Sequence, residues 1–268
     1  MFNIKIKGYS LNAFLGYWYD YFSRFLRRVL LLVKLRCESD ERVYGYSNVL
    51  VVAPHPDDEI IGLGGYILKY IKNGGRLTIM YLTDGEKSLH DIDPGLIAKK
   101  RIEISECVAG SIGIQLTDLK RLHFLDGNIP DINDDSFSGA VSEVGKIVKG
   151  INPEVIFVPY YLDGHSDHVA AFEIMRRLIS DEQMQCRLYG YWVWLWYTIS
   201  MRNISNIDWA KTRIIRIGKE FNAKKELISL YFRDKADNGV SWCGDPPAQF
   251  LKPFNFKFEV VTEIDLKV

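Results

Sequence analysis

The sequence predicts an α/β fold, a mostly parallel sheet covered on both faces by helices. Three observations predict it. Two apolar runs, Asn48–Ala53 (NVLVVA) and Val155–Pro159 (VIFVP), are rich in Val and show no polar alternation, as strands buried on both faces do. From Ser47 onward, such runs alternate with segments of helical periodicity. The 268 residues are 47 % hydrophobic and 25 % charged, which suits one large domain or two small ones and a core that needs no staples.

Residues 1–47 stand apart as an N-terminal extension. Apolar positions 14, 18, 21, 22, 25, 29 and 32 keep helical spacing, and eight Lys/Arg accompany four Asp/Glu, so an amphipathic helix is predicted. Two uses are open for it. It packs across the domain or against a second copy in a homo-oligomer, or residues 14–36 make peripheral contact with the inner face of a membrane.

The remaining elements follow in order. Asn48–Ala53 is a strand, and Glu59–Lys72 a helix ended by Asn73-Gly74-Gly75. Arg76–Leu82 is a strand, Lys99–Ile112 a helix, Arg121–Leu125 a short strand and Asp135–Lys149 a helix. Val155–Pro159 is a strand, Val169–Ser180 a helix, Tyr189–Leu195 a strand, Lys219–Phe232 a helix and Lys257–Thr262 a final strand.

Composition narrows the function classes. Lys+Arg and Asp+Glu balance at 34 each, so no cationic excess awaits a nucleic acid. Cys37, Cys107, Cys186 and Cys243 are scattered without a C-x-x-C pair and read as free thiols of a reducing compartment. The richest apolar run, Val29–Val33, is flanked by Arg27, Arg28, Lys34 and Arg36, far short of the roughly 18 apolar residues of a spanning helix. With no signal-peptide layout either, the expectation is a cytoplasmic protein.

In parallel sheets ligands sit at the carboxyl ends of strands. Two such ends carry chemistry, Pro54-His55-Pro56-Asp57-Asp58-Glu59 and Pro159 to His168 (PYYLDGHSDH). His55 and Asp58 lie three apart on a turn that feeds a helix, so imidazole and carboxylate can converge on one ion, with His168 as a third ligand. Two imidazoles and one carboxylate make the open site of a catalytic zinc, and they also suit Fe(II). Asp57, beside that site, is placed to take a proton from a metal-bound water. His165 would stand near the carbonyl oxygen, to stabilise an oxyanion or protonate a leaving amine. The competing reading makes Asp57 or Asp58 a helix cap and the second cluster a solvated loop.

At these residues the sequence resembles the PIG-L/LmbE-like zinc-dependent N-deacetylases. The resemblance rests on Ala53–Glu59 (APHPDDE) with Gly62, Gly64 and Gly65, on Thr83-Asp84-Gly85-Glu86, and on Gly164-His165-Ser166-Asp167-His168. Arg101 and Asp126-Gly127 also fall in register. It implies a Rossmann-like fold over residues 48–268 and removal of the acetyl group from an N-acetylglucosamine-type sugar, as glycan, glycolipid or nucleotide sugar. It further implies Asp57 as general base, zinc on His55, Asp58 and His168, His165 in electrostatic or acid catalysis, and sugar contacts from Arg101 and Asp126. Asp163 stands where some members carry Tyr, leaving Tyr160 or Tyr161 to assist the leaving group, and Arg233-Asp234 replaces a Ser-Gln pair. The alternatives are another metal-dependent amide hydrolase, a non-haem iron enzyme, or a non-catalytic carbohydrate- or membrane-surface-binding protein. Asp57 and His165 favour hydrolysis, since binding needs neither.

Four further features read as structural. Gly62-x-Gly64-Gly65 lies inside a helix and suits close packing, His90 sits in a polar loop, His123 ends a strand, and Tyr189–Tyr197 packs the sheet. A late loop around Trp242 and Cys243 is a candidate to reach the site entrance.

Overall fold

Two short strands, β1 (Lys5–Ile6) and β2 (Tyr9–Ser10), pair antiparallel ahead of the long helix α1 (Leu11–Lys34). The computed structural model describes residues 5–6, 9–35 and 44–266, with side chains from Tyr21 onward except Ala248. Cys37 and the side chains of residues 14–20 therefore lie outside the described residues, where Cys107, Cys186 and Cys243 are free thiols. Among the described residues no helix is long and apolar enough to cross a membrane.

The chain then alternates strand and helix. β3 (Asn48–Ala53), α2 (Asp58–Lys72), β4 (Arg76–Thr83), α3 (Pro94–Ser111), β5 (Leu119–Phe124), α4 (Phe137–Ile151), β6 (Val155–Pro159) and α5 (Ser166–Asp181) form the first part. β7 (Arg187–Tyr191), α6 (Leu195–Thr198), α7 (Met201–Asn206), β8 (Thr212–Arg216), α8 (Phe221–Arg233), α9 (Ala248–Leu251) and β9 (Phe258–Ile264) complete it. One seven-stranded sheet runs β5-β4-β3-β6-β7-β9-β8, parallel except at β9, which is antiparallel to both neighbours. The α/β class and the helical extension are as the sequence predicts.

Both faces of β3 are buried because residue alternation sends Val49, Val51 and Ala53 into one core and Leu50 and Val52 into another. The first core lies under α2, α3 and α8 and also takes Leu31 and Leu35 at the end of α1. The second lies under α4 and α5. Gly62 and Gly65 do serve close packing. A Cβ on Gly62 would stand 2.4 Å from the Tyr191 ring, and one on Gly65 2.4 Å from Ile217.

Several boundaries differ from expectation, each for a physical reason. α3 starts at Pro94 rather than Lys99, because Asp93 accepts the Leu96 N–H and Pro94 suits the first turn. β7 stops at Tyr191 rather than Leu195, because the Asp163 carboxylate takes the N–H groups of Val193, Trp194 and Leu195. Those donors leave the ladder, and the chain turns into α6. β8 is absent from the expected elements. Its sequence, TRIIR, is too short and polar at its ends to stand out.

Candidate active site

The strand order reverses direction at one point. From β3 the chain adds β4 and β5 on one side, then returns to place β6 on the other. A crevice opens at such a switch, outside the carboxyl ends of the two strands. The loops that leave β3 and β6 meet there, and α2 and α5 both begin there. Their N-terminal ends, each with a partial positive charge, therefore face the carboxylates gathered between them.

Three side chains from these loops close on a single oxygen. Asp58 Oδ2 lies 3.1 Å from His55 Nδ1 and 3.1 Å from His168 Nε2, and all three residues are buried. The other nitrogen of each ring is already engaged, which orients both imidazoles. His55 Nε2 lies 3.0 Å from Asp167 Oδ2 and 3.2 Å from Asp126 Oδ1, and His168 Nδ1 lies 2.6 Å from Asp163 Oδ2. His168 Nε2 is buried and makes no hydrogen bond. A buried nitrogen lone pair facing two other donor atoms is the arrangement a bound cation satisfies. His55, Asp58 and His168 therefore fit a metal ion, and His55 is shared with a second group that could hold one, formed with His165 and Asp167.

Charge within the cluster is strongly biased. Burial acts against an imidazolium at His168, but Asp58 and Asp163 outweigh it and push the ring up to about 9. At His55, Asp126, Asp167 and Asp58 likewise overcome burial and raise the pKa well above the usual imidazole range. Asp58 is held well below the carboxylate range, since His168 and His55 outweigh its burial. His165 goes the other way. Burial, with His168 and His55 nearby, lowers it to about 4, and its ring stands 5.0 Å from both of theirs.

Asp57 occupies an unusual backbone conformation, φ 138°, at the position before α2. Its side chain makes no cap hydrogen bond. It lies instead in an open pocket of about 320 Å³, with one oxygen 3.2 Å from an Arg101 guanidinium nitrogen. Burial is the main cause that pushes its carboxyl up to about 7, with Asp58 adding and Arg101 opposing. The capping role falls to Glu59, whose Oε2 accepts the Asp57 N–H while Oε1 accepts from Tyr81 and Tyr231.

Residues 50–179 match the family described as GlcNAc-PI de-N-acetylase, PIG-L. This stretch belongs to the PIG-L family. It contains both strand ends of the site. A diacetylchitobiose deacetylase of Thermococcus kodakarensis is 29 % identical over 144 residues, 52 % of this chain and 51 % of that protein. A probable N-acetyl-α-D-glucosaminyl L-malate deacetylase of Bacillus subtilis is 27 % identical over 145 residues, 53 % of this chain and 64 % of its own length. The chain thus spans about half to under two thirds of these curated relatives. Among solved structures, the N,N′-diacetylchitobiose deacetylase of Pyrococcus horikoshii superposes with a TM-score of 0.63 over 91 % of this chain and 92 % of that one. At 19 % identity that likeness shows the fold.

All seven expected site residues of the PIG-L motifs lie at this crevice, yet two are busier than their expected sugar contacts suggest. Arg101 donates to Pro56 O at 2.6 Å and Gly85 O at 3.2 Å as well as to Asp57. Gly85 is confined here, since a Cβ would stand 2.4 Å from the guanidinium carbon. Asp126 faces His55 through one oxygen and accepts the Lys87 N–H through the other. Sequence reasoning passed over Asp163, Asp167 and Glu59 as working residues, although each stands inside a quoted motif or beside it. Tyr160 is buried and Tyr161 donates to Asn206 O, and neither lines the pocket. Its apolar wall is Trp194 against Phe250, ring centroids 4.2 Å apart, with Pro246 and Pro247 from the late loop. Cys243, also on the wall, has its thiol pushed up to about 12 by burial, so it offers no thiolate. His90 is exposed, and His123 bonds Asp84 at 2.7 Å where β5 bulges against β4.

Proposed function

We propose that this chain hydrolyses the acetamide of an N-acetylglucosamine-type amino sugar, using zinc held by His55, Asp58 and His168. The observation that carries the reading is the convergence of His55 Nδ1 and His168 Nε2 on Asp58 Oδ2, with Asp57 free of capping duty in the adjoining pocket. The names of the PIG-L family and of the relatives point the same way. Zinc bound there would supply Lewis acidity for a carbonyl and a water acidified toward neutral pH. Fe(II) suits the same three ligands, and elemental analysis distinguishes the two.

The chain's own groups divide the proton work. Asp57, held near neutral pKa and steadied by Arg101, takes a proton from the attacking water and passes it to the departing amine. His165 is neutral at pH 7, so it serves by donating a hydrogen bond to the carbonyl oxygen as charge develops there. The C–O bond forms first, placing charge on the former carbonyl oxygen, and the C–N bond then breaks as the nitrogen takes its proton, giving acetate and a free amine. Arg101 and Asp126, which line the pocket, would meet sugar hydroxyls with whatever donor and acceptor capacity their internal bonds leave. We assign the activity to residues 48–268, with 1–47 as an extension.

Acetate release from N-acetylglucosamine glycans, glycolipids and nucleotide sugars tests the proposal. Asp57→Asn is expected to keep its metal while turnover falls about 100- to 10,000-fold. Full turnover in that variant would remove Asp57 from the base role. Zinc-loaded wild-type protein that released no acetate from any of these substrates would overturn the activity itself.

A further inference from the structure

α1 is seated by one face and bare on the other. On the seated side Leu31 and Leu35 are buried, and Arg28 donates to Trp196 O at 3.2 Å and to Gln249 O at 2.5 Å. The guanidinium of Arg24 stacks 4.2 Å from the Tyr197 ring centroid. A helix docked this way ordinarily shows water a polar outer face. Here the outer face is Phe22, Phe25, Leu26, Val29, Leu30 and Val33, each 38–59 % exposed. Their spacing of three and one alternately draws a single stripe along the helix. They are six of the twelve large hydrophobic side chains left exposed among the described residues, so the concentration is local to α1.

The charge around the stripe has one sign. Between Tyr21 and Leu35 stand Arg24, Arg27, Arg28 and Lys34, with no Asp or Glu. Arg27 and Lys34, seven positions apart, run along one border of the stripe, and the Arg27 Nε is buried without a hydrogen-bond partner. On the other border Lys252 Nζ lies 5.5 Å from the Tyr21 ring. Within Tyr21–Leu35, two copies packed stripe to stripe would bring cation against cation, with no Asp or Glu of that stretch to complement them. An anionic lipid surface complements both parts at once, acyl boundary for the stripe and headgroups for long cationic side chains that snorkel outward.

We infer that the outer face of α1 is a docking surface for an anionic lipid bilayer, with the helix lying in the plane of the headgroups. The anchoring contacts give this surface a relation to the crevice. Trp196 and Gln249, which receive Arg28, are near neighbours in sequence of Trp194 and Phe250, the aromatic pair of the pocket wall.

Flotation of the full chain with vesicles tests this without any substrate. Wild type is expected to float with equimolar phosphatidylcholine and phosphatidylglycerol, less with phosphatidylcholine alone, and less in high salt. Phe25→Glu/Val29→Glu is expected to lower the bound fraction at least about tenfold while leaving circular dichroism and metal content unchanged, since both positions are exposed. Arg27→Ala/Lys34→Ala is expected to bind more weakly and with a flatter salt dependence. Wild type that stays with the soluble fraction on anionic vesicles, or Phe25→Glu/Val29→Glu that floats as well as wild type, overturns the inference. So does a wild-type dimer in light scattering that Phe25→Glu/Val29→Glu converts to monomer, which would make the stripe an interface between copies.

Discussion

Asp163 receives four donors. The N–H groups of Val193 and Leu195 reach Oδ1 at 3.0 and 2.8 Å, the Trp194 N–H reaches Oδ2 at 2.9 Å, and His168 Nδ1 adds a 2.6 Å bond. With Nδ1–H fixed on this carboxylate, His168 presents a lone pair at Nε2, the form a metal needs. An asparagine there turns an NH₂ toward donors. Asp163→Asn is expected to weaken metal binding by about 10- to 100-fold and to cost about 1–3 kcal/mol of stability, measured by competition with a chelator and by denaturant melts. A second expectation follows from the imidazoles. Without metal, His168 stands near 9 and His55 well above its ordinary value, so both carry protons at pH 7. A metal must displace them. Zinc added to metal-free protein at pH 7 in weak buffer is expected to release about two protons, and affinity should climb as pH rises toward about 9, where His168 loses its proton. A pH-independent affinity would contradict the charge balance described for the cluster. That His55, Asp57, Asp58, His165 and His168 gather at one crevice was legible because the loops after β3 and β6, with the helix starts they feed, carry them. Asp163, Asp167 and Glu59 stand in or beside the same loops, but partners that show their work, Val193, His55 and Tyr231, come from distant parts of the chain.

At the level of elements, α2 is held by a charge as well as by packing. Glu259 of β9 accepts the Gly65 and Tyr66 N–H groups at 2.7 and 2.8 Å, and the Lys224 ammonium of α8 meets the same carboxylate at 2.6 Å. Lys224 and Glu259 are both fully buried, so removing one leaves an uncompensated charge in the interior. Lys224→Met is expected to destabilise by about 3–5 kcal/mol, whereas Lys224→Met/Glu259→Gln, which removes both charges and keeps an acceptor for Gly65 and Tyr66, should lose much less. A loss in the double variant equal to the sum of the two single losses would show that the pair is uncoupled. The sequence displayed Lys224 plainly, but nothing near it named Glu259, 35 positions away. The same limit explains the element boundaries. The end of β7 depends on a carboxylate from another loop, whereas the Asp93-Pro94 opening of α3 is local chemistry that the periodicity starting at Lys99 passed over.

For the whole molecule, strand composition revealed the parallel sheet, and the rule for strand ends pointed to the crevice where His55, Asp58 and His168 gather. The order of the strands was not legible, because pairing between β3 and β6 joins residues about a hundred positions apart and leaves no trace in local periodicity. Nor was the insertion of β9 between β7 and β8, which makes the late part of the sheet antiparallel. That insertion bears on the history of the molecule during synthesis. The five strands that frame the crevice, β5-β4-β3-β6-β7, are all made by residue 191, but β8 cannot join them until residues 258–264 emerge to lie between. Nascent chains arrested before β9 are therefore expected to protect β3 and β6 from hydrogen exchange while β8 stays open. The same strand brings Glu259, so the clamp on α2 closes last, and the His55–Asp58–His168 cluster would be assembled before α2 is made rigid.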